Sequence, residues 1–274
     1  MAVDACCLNP HLSLTVDWFD ERLVDIEAGA VGWQKWKPNE PTSAHWYGPD
    51  HLARLIGAYL SYDADAGGRR TLREFISEFR GLARTGKQKA VAGACGLSGA
   101  ALGDLVVDGE LDMKLVERLL IEMQAATKPV KAALLGIIGR DHLYRQFEAA
   151  GCEMSTFEYR KVEGGEGVSW IVEAAFAAHS SAFAGEPVAR RLITGVNWSP
   201  AIINPFRSLG YQSLDALLTQ QRAGNDEPVV VALHLACPRV EYTDRGKSAV
   251  NLLPAVAKAI IDVITGITAR GQPW

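Results

Sequence analysis

The sequence predicts an α+β protein in three parts: an N-terminal connector, a small all-helical domain, and a closing domain in which a sheet is backed by helices. Three observations predict it. Apolar residues recur at helical spacing from about residue 50 to residue 130, runs rich in branched and aromatic side chains follow Gly151, and a single apolar stripe marks a helix near the end. With 48% hydrophobic and 22% charged residues over 274 positions, the chain can bury a substantial core and has room for two modest domains.

The first element is a short alternating run, LSLTVDW, from Leu12 to Trp18. A Trp- and Pro-rich passage follows from Gly32 to Asp50, carrying Trp33, Trp36, Trp46, Pro38, Pro41 and Pro49. Its composition predicts a connector pinned to a surface, with a domain edge near Pro49. Beyond it, Leu52, Leu55, Ile56 and Tyr59 share one helical face, and Thr71 with Glu74 fits a capping box. Short helices are expected over REFISEF, KQKAVAGACGL, LGDLV and MKLVERLLIEMQAA, separated by glycine-bearing turns, with a linking helical segment from Pro129 to Gly151. These boundaries divide the chain at 1–49, 50–150 and 151–274.

Strands are then expected over MSTFEYRKVEG, VSWIVEAAFAAHS, ARRLITGVNWS and PVVVALHLAC, the last apolar enough to be covered on both faces. Two helices accompany them. One is SLDALLTQQRAG; the other, LLPAVAKAIIDVITGIT, places Leu252, Val256, Ile260, Val263 and Ile267 on one stripe.

Composition excludes several classes. No window approaches the roughly 18 apolar residues of a membrane span, and the start MAVDACCLNPHL lacks a basic, then apolar, leader, so no membrane partner and a cytoplasmic location are expected. The five cysteines are odd in number and scattered, which suits reduced core thiols; His45 and His51 lack metal-site spacing, and no metal is expected. Charge is uneven: residues 69–145 hold 13 Lys and Arg against 9 Asp and Glu, while the remainder holds 15 against 23. A basic middle of this kind can touch phosphates.

Gly81 to Gln88 approaches a phosphate-binding loop, but Gln88 stands where a magnesium-binding hydroxyl is needed and a helix precedes it where a strand belongs. Arg84, Lys87 and Lys89 instead place cations at a helix N-terminus, either a DNA phosphate contact or a solvated polar face. Gly164 to Gly167 reads as a hairpin turn. No dinucleotide fingerprint and no recognisable Ser/His/Asp or Cys/His order is present, so no catalytic residue is assigned to this chain. Lys247, in VEYTDRGKSAV, is placed in a loop at the carboxyl end of a central strand, just before a helix expected to begin near Ser248 to Asn251. It is either a surface lysine in a tight turn or a compact charge able to reach the terminal phosphate of a nucleotide held by another domain.

Several passages together resemble one family. PTSAHWYGPDHLARLIGAYL, REFISEFRGLARTGKQKAV, LLGIIGRDHLYRQF, ITGVNWSPAIINPF and LHLACPRVEYTDRGKSAV are similar, in that order, to the B subunit of type IIB DNA topoisomerases, topoisomerase VI and its bacterial relatives. The resemblance covers about Asn9 to the end. It implies the tail of a GHKL-type ATPase domain with its connector over 1–49, a helix-two-turns-helix domain over 50–150, and over 151–274 a βαβ transducer domain with a mixed sheet. It makes Lys247 the switch lysine at the nucleotide γ-phosphate, and GVNWSP the family's Asn-containing strand end. The glutamate/asparagine helix, the DxGxG-like segment and the glycine-rich lid of the family's nucleotide pocket have no counterpart here. ITARGQPW stops where the family continues into a long helix gripping the A subunit. The chain is thus read as a fragment or a reduced relative, and this chain alone is expected neither to cut DNA nor to hydrolyse ATP. The resemblance implies ATP and Mg2+ in the full-length assembly, with none expected to be held by this chain alone. DNA, an A-like subunit and homodimerisation through the B-type ATPase domain are the implied partners. The alternative is a non-enzymatic DNA-binding or scaffold protein that keeps the helical domain.

Overall fold

The computed structural model describes residues 2–30, 32–37, 39–180 and 189–271. Pro38 of the connector, and Gln272 to Trp274 of the closing segment, lie outside them. The chain forms two compact units: one of Met1–Lys35, Ala132–Gly165 and Ser169–Trp274, the other of Trp36–Lys131 with Glu166–Val168. These limits differ from divisions at 49 and 150. The connector from Trp36 onward belongs with the helices, because Trp36 packs edge-on against Trp46 and Gln124 donates to the Ala44 carbonyl; the segment after Ala132 belongs with the sheet.

At the N-terminus, α1 (Ala2–Leu8) precedes a two-stranded ribbon of β1 (Leu14–Trp18) and β2 (Glu21–Ile26). The helical unit follows with α2 (Pro49–Asp65), α3 (Leu72–Ser77), α4 (Thr85–Ala94), a small hairpin of β3 (Val106–Val107) and β4 (Glu110–Leu111), and α5 (Met113–Ala125). Proline at the first position of α2 needs no amide partner there. The expected stripe is inward, with Leu52 and Ile56 buried and Leu55 and Tyr59 packed against the core around Phe75, Leu82, Leu119 and Met123. Asp108 and Gly109 turn the hairpin with positive φ of 54° and 86°, the combination that suits a two-residue connection.

The capping box on α3 is complete. Glu74 N–H donates to Thr71 Oγ1 at 3.2 Å, and Thr71 N–H returns to Glu74 Oε2 at 2.7 Å. Thr71→Ala is expected to lower stability by about 1 kcal/mol, read as a shift in the urea midpoint at constant slope.

The sheet unit continues with α6 (Arg140–Ala149), β5 (Glu158–Gly164), β6 (Trp170–Ala178), β7 (Arg191–Val196), β8 (Ser199–Pro200), α7 (Leu214–Gln220) and β9 (Val229–Ala236). A hairpin of β10 (Glu241–Tyr242) and β11 (Val250–Asn251) and the final helix α8 (Pro254–Gly271) complete it. The five-stranded sheet runs β5-β6-β9-β7-β8; β7 and β9 are parallel, joined through α7, and the other neighbours are antiparallel. All residues of β6 and β9 are buried, as the unbroken apolar run PVVVALHLAC requires of a strand covered on both faces. Arg160 and its cross-strand neighbour Ala174 share one face, and Arg160 reaches the Asp262 carbonyl of α8. Tyr159 and Glu173 occupy the opposite face, where Glu173 meets the turn that leads into α6. Val256, Ile260, Val263 and Ile267 form the buried stripe of α8, whereas Leu252 lies before that helix.

The five cysteines are free, buried thiols. Burial pushes Cys7 up to about 12 and Cys152 up to about 11, so both fill space as neutral groups. Gly136 has φ of 91°, and a Cβ there would meet the Gln34 carbonyl oxygen at 2.9 Å; the Gln34–Lys35 backbone passes where only glycine leaves room.

Candidate functional site

β9, the central strand, delivers the chain to the carboxyl edge of the sheet, where β7 also ends. The one parallel pair, β7 and β9, leaves its loops at this edge, the edge at which parallel α/β sheets hold their ligands. Two devices shape it. The β7–β8 turn is Asn197–Trp198, with φ of 49° and 72°. Asn197 donates through Nδ2 to the Cys237 carbonyl at 2.7 Å and accepts the Cys237 amide at 2.8 Å, so its side chain continues the β7–β9 pairing beyond the last strand residue. Asn197→Ala removes both bonds and places a Cβ-bearing residue without asparagine's tolerance in the left-handed region; a loss of about 2–4 kcal/mol is expected in chemical denaturation.

The second device is the β10–β11 hairpin. Helix α8 begins at Pro254, so the expectation of a helix starting between Ser248 and Asn251 is corrected: Val250 and Asn251 pair with Tyr242 and Glu241 instead. The reason lies in Asp244, whose carboxylate accepts the Ser248 amide at 3.2 Å and pairs with the Ser248 hydroxyl, closing a tight turn. These bonds, the hydroxyl foremost, hold the exposed Asp244 carboxyl below its usual range. The Val250 amide donates to the Pro205 carbonyl at 2.9 Å and fastens the hairpin to the segment after β8.

Lys247 sits in this turn with φ of 55°. It is exposed, and its ammonium lies 5.7 Å from the centroid of the Tyr242 ring on its own hairpin. A cation over a ring face gains about 0.5–1 kcal/mol when exposed, too little to hold it against a phosphate. The side chain rims a groove of about 360 Å³ whose walls include Val196, Pro200, Ile202, Ile203 and Tyr242, with Ser199 and Ser248 adding hydroxyls. One amine and two hydroxyls on an otherwise apolar wall fit a single phosphate contact and not a full nucleotide cradle. A larger cavity of about 690 Å³ lies elsewhere in the sheet unit, but its arginines are engaged, Arg145 with the Gly29 carbonyl and Arg191 with Asp4.

Sequence reasoning missed the buried network behind the β7–β8 turn. Glu173 on β6 is 1% exposed and accepts the Ile138 and Gly139 amides at 2.8 and 2.9 Å and the Tyr159 hydroxyl at 2.8 Å. Burial alone would raise its pKa; His234 and the two amides outweigh that and hold the carboxyl below the ordinary range. His234, opposite it on β9, lies 3.7 Å away through Nδ1, too long for a hydrogen bond, so the two amides are the firmer partners. His234 Nε2 accepts the Trp198 amide at 3.3 Å, and its ring lies 4.3 Å from that of Trp198. A lone glutamate in WIVEAAF and a lone histidine in VVALHLA, each inside an apolar strand, were the available signal.

In the helical unit, Arg84 is the residue before α4 and carries no side-chain cap bond, while Lys87 and Lys89 follow on the helix. All three are exposed, but Lys87 Nζ donates to the Ala126 carbonyl at 2.8 Å, at the end of α5. Lys87 and Lys89, two positions apart, face different directions. Gln88 is buried and donates to the Leu82 and Ala83 carbonyls at 3.1 and 2.8 Å, so the residue that departs from the phosphate-loop pattern locks a turn. Among the described residues no group of three or more His, Cys, Asp or Glu could hold a metal ion, and no helix is long and apolar enough to cross a membrane.

The fold and its edge groove define an α+β protein with a mixed five-stranded sheet. No family model matches the sequence, and no curated protein matches it. Among solved structures the chain is similar to the B subunit of the DNA gyrase from Myxococcus xanthus, at 11% identity and a TM-score of 0.28, covering 40% of this chain and 33% of that one. The chain thus spans about a third of the gyrase subunit, and a likeness of that size settles neither fold nor function.

Proposed function

We propose that the chain is the coupling portion of a type IIB topoisomerase B-like subunit, transmitting nucleotide state to a partner A-like subunit that passes DNA strands. One observation carries the reading: an exposed lysine, Lys247, held on a positive-φ backbone at the carboxyl edge of the two parallel strands. Glycine would occupy that conformation at lower cost, so a lysine kept there is a strained choice that points to use of its charge. ATP with Mg2+, held in a GHKL-type ATPase domain outside this chain, supplies the phosphate that Lys247 would meet. That domain also brings two protomers together. This chain's own residues orient the contact: Asp244 and Ser248 fix the turn, Asn197 and Cys237 fix the strand ends beside it, and the Glu173–His234 pair supports the β7–β8 turn from below. DNA would be met by Arg84 and Lys89, whose charges are exposed, more than by Lys87, whose amine already caps α5.

The test is to purify the assembly that contains this chain from its native cells and follow supercoiled plasmid. Relaxation or decatenation that needs ATP, lost on replacing Lys247, is the expected result. An assembly without topoisomerase activity, its chain folded as judged by circular dichroism, would overturn the reading.

A further inference from the structure

The β1–β2 ribbon presents a feature the coupling role does not use. None of its residues is buried, and a two-stranded ribbon in water has little stability of its own. Its tip is aromatic: Trp18 is 61% and Phe19 87% exposed, their rings meeting edge-on at 4.9 Å, and Leu23, further along β2, is 55% exposed. Trp18 pairs with Glu21, so Phe19 and Asp20 form a two-residue turn with φ of 46° and 65°. Such turns favour asparagine and glycine; a phenylalanine there is strained, and its ring finds no core in return.

Charge decides what the tip can meet. Asp17, Asp20, Glu21, Asp25 and Glu27 lie on or beside the ribbon, and its one cation, Arg22, is bound by Asp17 at 2.9 Å and Asp25 at 3.4 Å. Phosphate surfaces, whether nucleic acid or anionic lipid, would be repelled. A second copy of the same ribbon would be repelled as well. We infer that the ribbon tip is a docking anchor for another protein, in which Trp18 and Phe19 enter an apolar pocket rimmed by lysine and arginine. Large aromatics at the centre of a charged ring are the arrangement that concentrates binding energy in few residues. The inference is independent of the topoisomerase reading.

The full chain carrying a photoreactive benzophenone side chain at Leu23 is irradiated in its native cells. One discrete protein adduct is expected, mapping to an apolar site flanked by basic residues. Its yield should fall more than about 30-fold with Phe19→Gly, the loss of an interface anchor, and fall also with Glu21→Lys. Phe19→Gly should melt no lower than the parent, because glycine accepts the positive φ; should it melt lower, Phe19→Asn, which also tolerates that conformation, replaces it. An adduct chiefly with a second copy, with nucleic acid or with lipid, an adduct flanked by acidic residues, no adduct, or a yield indifferent to Phe19 would each overturn the inference.

Discussion

Glu173→Ala is expected to cost about 3–5 kcal/mol of folding stability, because three buried donors lose their acceptor at about 1–3 kcal/mol each. The deletion strands the Ile138 and Gly139 amides and the Tyr159 hydroxyl in a site where Glu173 itself is 1% exposed, and it leaves His234 without its carboxylate neighbour. Tyr159→Phe removes one bond of the set and should cost about 1–2 kcal/mol, so the pair of variants separates the network from a single hydroxyl. Denaturant titration at neutral pH measures both. The acid limb follows from the same group. Its folded carboxyl pKa is lowered, so the stabilisation is complete above the ordinary carboxylate range and is lost as pH falls through the folded value. Glu173→Ala should therefore show a flatter fall of stability on acidification below about pH 4.5, the pKa of a free glutamate. A steeper fall than the parent's would mean that the glutamate is neutral in the fold.

Under the proposed coupling role, Lys247→Ala in the intact assembly is expected to lower ATP-dependent DNA relaxation by about 10²–10³-fold, the scale on which one charged contact to a developing or bound anion acts. Lys247→Gly is the sharper variant. It accepts φ of 55° without strain, so it should fold at least as stably as the parent while losing the same activity. Lys247→Arg keeps charge but alters reach and should recover part of it. If Lys247→Gly relaxes DNA at the parental rate, the ammonium is an ornament of the Tyr242 ring and nothing more.

Much of the fold was legible because its signals are local. The stripe of Leu52 and Ile56, the Thr71–Glu74 box and the unbroken apolarity of β9 each act within a few residues, and each appears in place. The start of α8 was misjudged because the turn is set by the Asp244 side chain capturing Ser248, an interaction that competes with helix formation and carries no periodicity. The unit limits differ because Ala44 is held by Gln124 of α5, far along the chain, and Trp36 packs on Trp46 beside it. Of the candidate site, the position of Lys247 at a strand's carboxyl end could be read, whereas Asn197 bridging to Cys237 and Glu173 facing His234 depend on which strands become neighbours. The order β6-β9-β7 is a tertiary fact, and pattern alone does not supply it.

The position of β9 has a consequence for synthesis. It is the last strand of the five-stranded sheet in chain order, yet it is inserted between β6 and β7, both of which leave the ribosome earlier. Until residues 229–236 emerge, two apolar strands face one another with open edges and no common partner, which is the condition under which nascent chains stick to each other. The domain closes from its middle, so its vulnerable interval is the time taken to translate the stretch from Val196 to Ala236. Slowing translation across that stretch prolongs the exposure, and chaperone demand should concentrate there and not at either terminus.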